Sequence, residues 1–193
     1  MYSLYVDSSS SLVIGLLDAQ LNWLEYKDQF DQKPSEVIHT ELYQLIQKYQ
    51  LDIKNINFIF NAGPGSYTGM RLSEGLAQIL EWDEKKVFSF YHFDIPLLAG
   101  VKTGSWVTNA FKGEVFIYRW DRLENSKELV AASDFVVVDK SVVYTLEAEK
   151  DFADLISTKQ MLKKDAKIIF KSVLDQKLRQ GPYYFRTLEQ EFK

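Results

Sequence analysis

The chain has 193 residues, 46% of them hydrophobic, and a formal net charge of −4, so it can build a packed core and has no overall basic charge that would indicate nucleic-acid binding. The absence of cysteine excludes disulfide scaffolds, thiol catalysis and cysteine-ligated metal sites. Residues 1–10 lack the basic and apolar stretches of a signal peptide, and no apolar run approaches the roughly 20 residues of a membrane span. We therefore expect a soluble, cytoplasmic protein without a membrane partner.

The first half of the chain predicts a strand meander followed by alternating helices and strands. Short connections between the first three apolar runs favour antiparallel neighbours, and the apolar spacing then changes to the helical period. The predicted strands are 2–6, 12–17, 21–26, 56–60 and 87–90, and the predicted helices are 35–49, 68–82 and 93–99. This order indicates an α/β fold of the ribonuclease-H-like or actin-like class, with a right-handed crossover between parallel strands.

The second half predicts a smaller subdomain with a less regular pattern. Apolar runs at 106–111 and 115–120 surround Lys112-Gly113-Glu114 and predict a hairpin. Further predicted strands are 135–139, 142–146 and 168–170, and a helix is predicted over 152–162. We expect subdomains at 1–100 and 101–193, the second a trimmed relative of the first, with about the last ten residues packing back on the first.

The segment Gly63–Arg71 is the most informative motif, because it joins a predicted strand to a predicted helix. Free amides at a helix start favour anions, and glycines allow close backbone approach. The candidate anion or nucleotide loop consists of Gly63, Gly65, Ser66, Thr68 and Gly69. The loop lacks the Walker A lysine and the dinucleotide-binding glycine spacing, and a tight turn without a ligand is at least as good an interpretation.

This segment resembles the Gly-Pro-Gly-Ser-Phe-Thr-Gly-Leu-Arg signature of the TsaB (YeaZ) family, with Tyr67 for Phe and Met70 for Leu. Weaker similarity covers Met1–Ser8, the helix around His39-Thr40-Glu41, Gly113–Phe116 and Pro182–Arg186. The chain departs from the family at Asn109–Lys112, where the family has Asp-Ala-Arg-Met, and its second half is short.

The resemblance implies a non-catalytic subunit of the complex that forms threonylcarbamoyladenosine next to the tRNA anticodon. In that family the protein pairs with TsaD, which holds the metal and performs the transfer, and the ATPase TsaE joins them. The resemblance implies no cofactor of the chain's own, ATP or ADP at the joint surface, and tRNA bound through the complex. It also implies docking through the helices at 35–49 and 68–82, for which the candidate residues are His39, Tyr43, Met70, Arg71 and Glu74. We also consider a homodimer through the same helices when the chain is alone, because a surface that binds a related fold can often accept itself.

An enzyme acting on its own is the alternative, as an actin-like ATPase or a peptidase. Asp7 is placed at the end of the first strand, where a two-metal nuclease needs a carboxylate, but Asn61 cannot supply the second anionic ligand. The serines after Asp7 lack the glycine of a first phosphate loop. His39 and His92 have no His-Glu-x-x-His spacing, so we interpret both as structural and expect no metal site.

Overall fold

The computed structural model describes residues 1–28, 30, 32–110, 112–137, 142–146 and 154–185. These residues divide into two compact units, each with a five-stranded sheet. The first unit contains Met1–Tyr91 and Phe170–Tyr184, and the second contains the described residues of His92–Ile169 together with Phe185. The first unit therefore includes a segment from the range predicted for the second subdomain. Residues 186–193, part of the tail expected to pack on the first subdomain, lie outside the described residues.

The sheet of the first unit extends a strand meander by two parallel strands. Its strands are β1 (Tyr2–Asp7), β2 (Val13–Leu17), β3 (Trp23–Lys27), β4 (Ile56–Asn61) and β5 (Lys86–Phe90), in the order β3-β2-β1-β4-β5. β2 is antiparallel to β1 and β3, whereas β4 runs parallel to β1 and to β5. The five strands predicted in this half of the chain are all present, and their bounds agree to within two residues.

Helices α1 (Pro34–Lys48) and α2 (Tyr67–Trp82) cover one face of this sheet. Pro34 stands in the first turn of α1, where its fixed φ suits a helix start, and the Ser66 hydroxyl caps α2 by accepting a hydrogen bond from the Gly69 amide at 3.4 Å. Because strand side chains alternate between faces, every second residue of β1 and β4 contributes to this core. The core includes Leu4, Val6, Phe58, Phe60, Ile38, Leu45 and Ala77.

The opposite face packs against an aromatic side chain from α5 (Ala166–Asp175). The Phe170 ring centroid lies 5.3 Å from that of Tyr5, 5.4 Å from that of Trp23 and 6.1 Å from that of Phe90. The prediction of a strand at 168–170 is therefore wrong. The buried residues Ala166, Ile169, Phe170 and Val173 recur at helical spacing, so they form one side of a helix.

The elements of the second unit are β6 (Gly104–Ala110), β7 (Glu114–Trp120), β8 (Asn125–Ala131), β9 (Val143–Thr145), β10 (Ile156–Ser157), α3 (Ile95–Leu98) and α4 (Thr158–Lys164). Its sheet has the strand order β10-β9-β6-β7-β8. Trp106 is fully buried at its centre, and its indole N–H donates to the Thr158 hydroxyl at 3.4 Å. No helix in the described part of the chain has the length and apolar character that crossing a bilayer requires.

The second unit confirms some sequence predictions and corrects others. The hairpin is present as β6 and β7, whose turn residues Lys112 and Gly113 both have positive φ. The strand at 142–146 is present as β9. Residues 135–137 are not in a strand, and 138–139 lie outside the described residues. Of the helix predicted at 152–162, residues 152–153 lie outside the described residues, and the observed helix begins at Thr158, after the short strand β10.

Candidate functional site

The candidate surface is formed by the solvent-facing sides of α1 and α2. The two helices contact each other, and both pack on the sheet through the same core. On α1 the exposed residues His39 and Tyr43 are four positions apart, so they lie on the same side of the helix. Tyr43 is 64% exposed. The structure thus places these two predicted interface residues on the outside of the unit.

An exposed strip runs along α2 on the side away from the sheet. Arg71, Gly75, Ile79 and Trp82 follow one another at spacings that bring them to one side of a helix. Ile79 is 59% exposed and Trp82 is 84% exposed. A Cβ placed on Gly75 would meet no atom within 4 Å, so this position also faces open space. We call these four residues the α2 strip.

The sequence-based interface prediction includes Arg71 of the α2 strip but not Gly75, Ile79 or Trp82. Helical spacing indicates which side of α2 is exposed, because the buried residues Met70, Ser73 and Ala77 recur on the side opposite to the α2 strip. An isolated apolar residue on a surface is ordinary, whereas two large ones within one turn of a helix mark a candidate contact surface.

Two of the predicted interface residues, Met70 and Glu74, do not lie on this strip. Met70 is 3% exposed, and its sulfur lies where a Cβ on Gly63 would be. The Glu74 carboxylate accepts two hydrogen bonds from Arg179, at 2.9 and 3.0 Å, and is 19% exposed. Both side chains serve the packing of the first unit and are not part of the α2 strip.

The glycines of the loop before α2 allow it to pack closely on the turn after β1. A Cβ on Gly65 would collide with the Ser9 carbonyl oxygen, and a Cβ on Gly69 would collide with the Ser8 carbonyl oxygen. Gly63 has φ +96°, and the bond between Gly63 and Pro64 is cis. Close approach of two backbone segments therefore accounts for these glycines without a ligand.

The amides of this loop are partly used inside the protein. The Ser66 amide donates to the Ser9 carbonyl at 2.5 Å, and the Gly69 amide donates to the Ser66 hydroxyl at 3.4 Å. Ser66 and Thr68 themselves are exposed. The anion or nucleotide loop stays a prediction, and the contacts of its glycines do not depend on a bound anion.

The residues considered for an enzyme are buried in the first unit. Asp7 is 4% exposed, and its Oδ1 accepts the Ser9 amide at 2.8 Å. Asn61 is 1% exposed, and its Oδ1 accepts the Gly63 amide at 2.8 Å. Between them the fully buried Tyr5 has a pKa well above its ordinary value, because burial and then the charge of Asp7 disfavour the phenolate. Both acceptors thus hold turns at the ends of their strands.

The histidines occupy different environments. His39 is exposed on α1, whereas His92 is 1% exposed and stacks on Trp106 at 6.4 Å between ring centroids. Within the described ranges of the chain, no three His, Asp or Glu side chains are grouped so that they could hold a metal ion.

Two solved structures resemble this chain over almost its whole length. One is described as an uncharacterized protein with similarity to peptidase YEAZ from Pseudomonas aeruginosa; its TM-score is 0.65 and its identity 15%, over 96% of this chain and 99% of that one. The other is YeaZ from Pseudomonas aeruginosa, with a TM-score of 0.63 and 16% identity over 95% of this chain and 99% of that one. No family model and no curated protein matches the sequence.

The strand order and these likenesses together define the class. The chain has the ribonuclease-H-like or actin-like α/β fold, which it shares with these two structures, and this prediction is confirmed. At 15% and 16% identity the likeness establishes the fold.

Proposed function

We propose that this chain is a TsaB-like, non-catalytic subunit of the complex that forms N6-threonylcarbamoyladenosine next to the tRNA anticodon. In this role it binds its relative TsaD and holds it in an active form. TsaE and tRNA bind to the assembled complex. ATP or ADP binds at the surface between this chain and TsaD, and this chain has no cofactor of its own.

Two kinds of likeness support the family assignment. The segment Gly63–Arg71 shares seven of nine positions with the TsaB signature, and it lies at a strand-to-helix junction, between β4 and α2. The near-complete coverage of YeaZ and of a second structure described as similar to YEAZ supports the same assignment from the fold.

The exposed side of α2 is the observation that carries the proposal. Ile79 and Trp82 present large apolar side chains to solvent, with Gly75 leaving room for a second helix to approach. Tyr43 on the neighbouring α1 and Arg71 at the start of the strip add an aromatic ring and a guanidinium. Tyr, Trp and Arg are the residues that most often dominate binding energy at protein interfaces.

The direct test is light scattering after size-exclusion chromatography, on this chain alone and mixed with TsaD from the same genome. We expect a 1:1 species whose formation is strengthened by ATP or ADP. Ile79→Glu and Trp82→Glu should each weaken pairing at least tenfold, because each buries a carboxylate in an apolar contact. Leu123→Glu is the matched control, since Leu123 is 95% exposed and lies in the second unit.

The outcomes separate the alternatives. Lack of any 1:1 species with either nucleotide would refute the partner role. Equal weakening by Leu123→Glu would refute the assignment to the α2 strip. A homodimer that Trp82→Glu dissociates and TsaD displaces would indicate that the chain uses the same surface for itself. ATP or peptide turnover by the isolated chain, lost in Asp7→Ala, would favour the enzyme alternative.

A further inference from the structure

The segment after α5 runs along the outer edge of β5 and reaches the start of α2. We call Gln176–Tyr184 the tail strap. The Ser89 amide of β5 donates to the Leu178 carbonyl at 2.9 Å, and the Ser89 hydroxyl accepts from the Gln180 amide at 2.6 Å. Farther along, the Tyr183 amide donates to the Ala62 carbonyl at 2.8 Å. The strap is thus bound to the first unit at both of its ends.

One side chain of the strap joins two turns of α2. The Arg179 guanidinium donates to both carboxylate oxygens of Glu74, at 2.9 and 3.0 Å, and to both of Glu81, at 2.7 and 3.1 Å. Arg179 is 25% exposed, and Glu74 is 19% exposed. A partly buried guanidinium that binds two carboxylates at once fixes both the orientation and the distance of the two side chains relative to it. A single surface ion pair does not fix the orientation.

The buried side of α2 explains why such a fixing contact matters. Its most buried residues, Gly69, Met70, Ser73 and Ala77, are mostly small and bring the helix close to the sheet, and Leu72, Leu76 and Leu80 pack partly buried against the same core. Apolar packing holds the helix on the sheet but is not directional. The Arg179 fork adds a directional contact across two turns of the helix, from Glu74 to Glu81.

We infer that Arg179 is a positioning residue for partner binding, which holds α2 at the angle that presents the α2 strip. This inference rests on the proposed function, because the strip is the surface proposed to bind TsaD. Glu74 and Glu81 face Arg179, whereas Gly75, Ile79 and Trp82 face solvent, so the fork acts on the strip through the helix and does not touch the partner.

The test compares Arg179→Met, Arg179→Lys and the control Lys171→Met. Lys171 forms an exposed ion pair with Asp175 on α5, so its replacement removes a cation of the same unit without touching α2. For each folded protein, the Kd for TsaD and the hydrogen exchange of α2 amides in the isolated chain are measured. We expect Arg179→Met to raise the Kd at least tenfold and to speed exchange in Tyr67–Trp82.

The conservative variant gives the readout that a purely stabilising role would not produce. A lysine ammonium can bind one carboxylate but cannot fork across both, so Arg179→Lys should give an intermediate Kd, and Lys171→Met should match the wild type. If Arg179→Met does not fold, the Arg179→Lys result decides alone.

Two results would overturn the inference. One is a wild-type Kd in both Arg179 variants, and the other is faster α2 exchange with an unchanged Kd, which would mean that the strap stabilises the helix without setting its docking angle. Failure of the wild-type chain to pair with TsaD would instead refute the proposed function, so the two failures are distinguishable.

Discussion

Two glycines in the same helix should respond in opposite directions to the same substitution. Gly69 faces the turn after β1, and a Cβ there would collide with the Ser8 carbonyl oxygen. Gly75 lies six residues farther along α2, where a Cβ would meet nothing within 4 Å. Replacing each by alanine adds the same single methyl group, so the pair separates helix propensity from packing.

The expected magnitudes follow from these surroundings. Alanine is favoured over glycine inside a helix by about 0.8–1 kcal/mol, so Gly75→Ala should stabilise the chain by roughly that amount. Gly69→Ala gains at most the same, but overpacking costs about 1–3 kcal/mol, and the upper end applies because the obstacle is backbone. The net expectation for Gly69→Ala is a loss of about 2 kcal/mol.

Urea unfolding followed by circular dichroism measures both values. With an m-value near 2 kcal/mol per M, Gly69→Ala should lower the midpoint by roughly 1 M and Gly75→Ala should raise it by about half as much. The reasoning is refuted if Gly69→Ala is as stable as the wild type, or if Gly75→Ala loses stability. Gly75→Ala is also expected to weaken pairing with TsaD while it stabilises the chain, because the added methyl group enters the proposed contact.

Three further predictions concern other contacts. Phe170→Ala should cost about 3–5 kcal/mol of unfolding free energy, since the ring is fully buried among three aromatic rings; a loss below 1 kcal/mol in urea unfolding would contradict this packing. Hydrogen bonds from Arg179 lower the pKa of Glu81 in the folded protein below its value in the unfolded chain, which is about 4.3. The pair therefore stabilises the fold fully above about pH 4.3, and this stabilisation is lost as the pH falls through the pKa of the folded protein. Glu81→Gln should therefore flatten the decline in stability below that pH, and an unchanged acid limb in unfolding curves would refute the pairing. Leu123→Ser should change stability by no more than about 0.5 kcal/mol, because the side chain is 95% exposed; a larger change in the urea midpoint would contradict its exposure.

The sequence predicts the first sheet well because its elements have clear periods. In the strands, apolar residues either alternate with polar ones or are continuous. In α1 and α2, apolar residues recur at helical spacing after a recognisable helix start. The short apolar run Ile168–Phe170 illustrates the limit of this approach, because three apolar residues suit a strand and a buried helix equally. Extending the window to Ala166 and Val173 would have given the helical spacing that the structure shows.

The candidate surface could be predicted only in part. The resemblance pointed to the two helices, and exposure then separated His39, Tyr43 and Arg71 from Met70 and Glu74. The spacing of apolar residues predicts which side of a helix faces the sheet. It does not predict the Arg179 fork, because Arg179 is 105 positions from Glu74 and 98 from Glu81, and a local sequence pattern carries no information on contacts over such a separation.

The first unit draws on two distant parts of the chain, and this sets an order on its assembly during synthesis. All five strands, α1 and α2 emerge from the ribosome before residue 92, whereas Phe170 and Arg179 follow only after the sheet of the second unit. Until then the face with Tyr5, Trp23 and Phe90 has no ring from α5 to cover it. A nascent chain stalled in the second unit would therefore expose this apolar face, which makes it a substrate for chaperones and prone to aggregation.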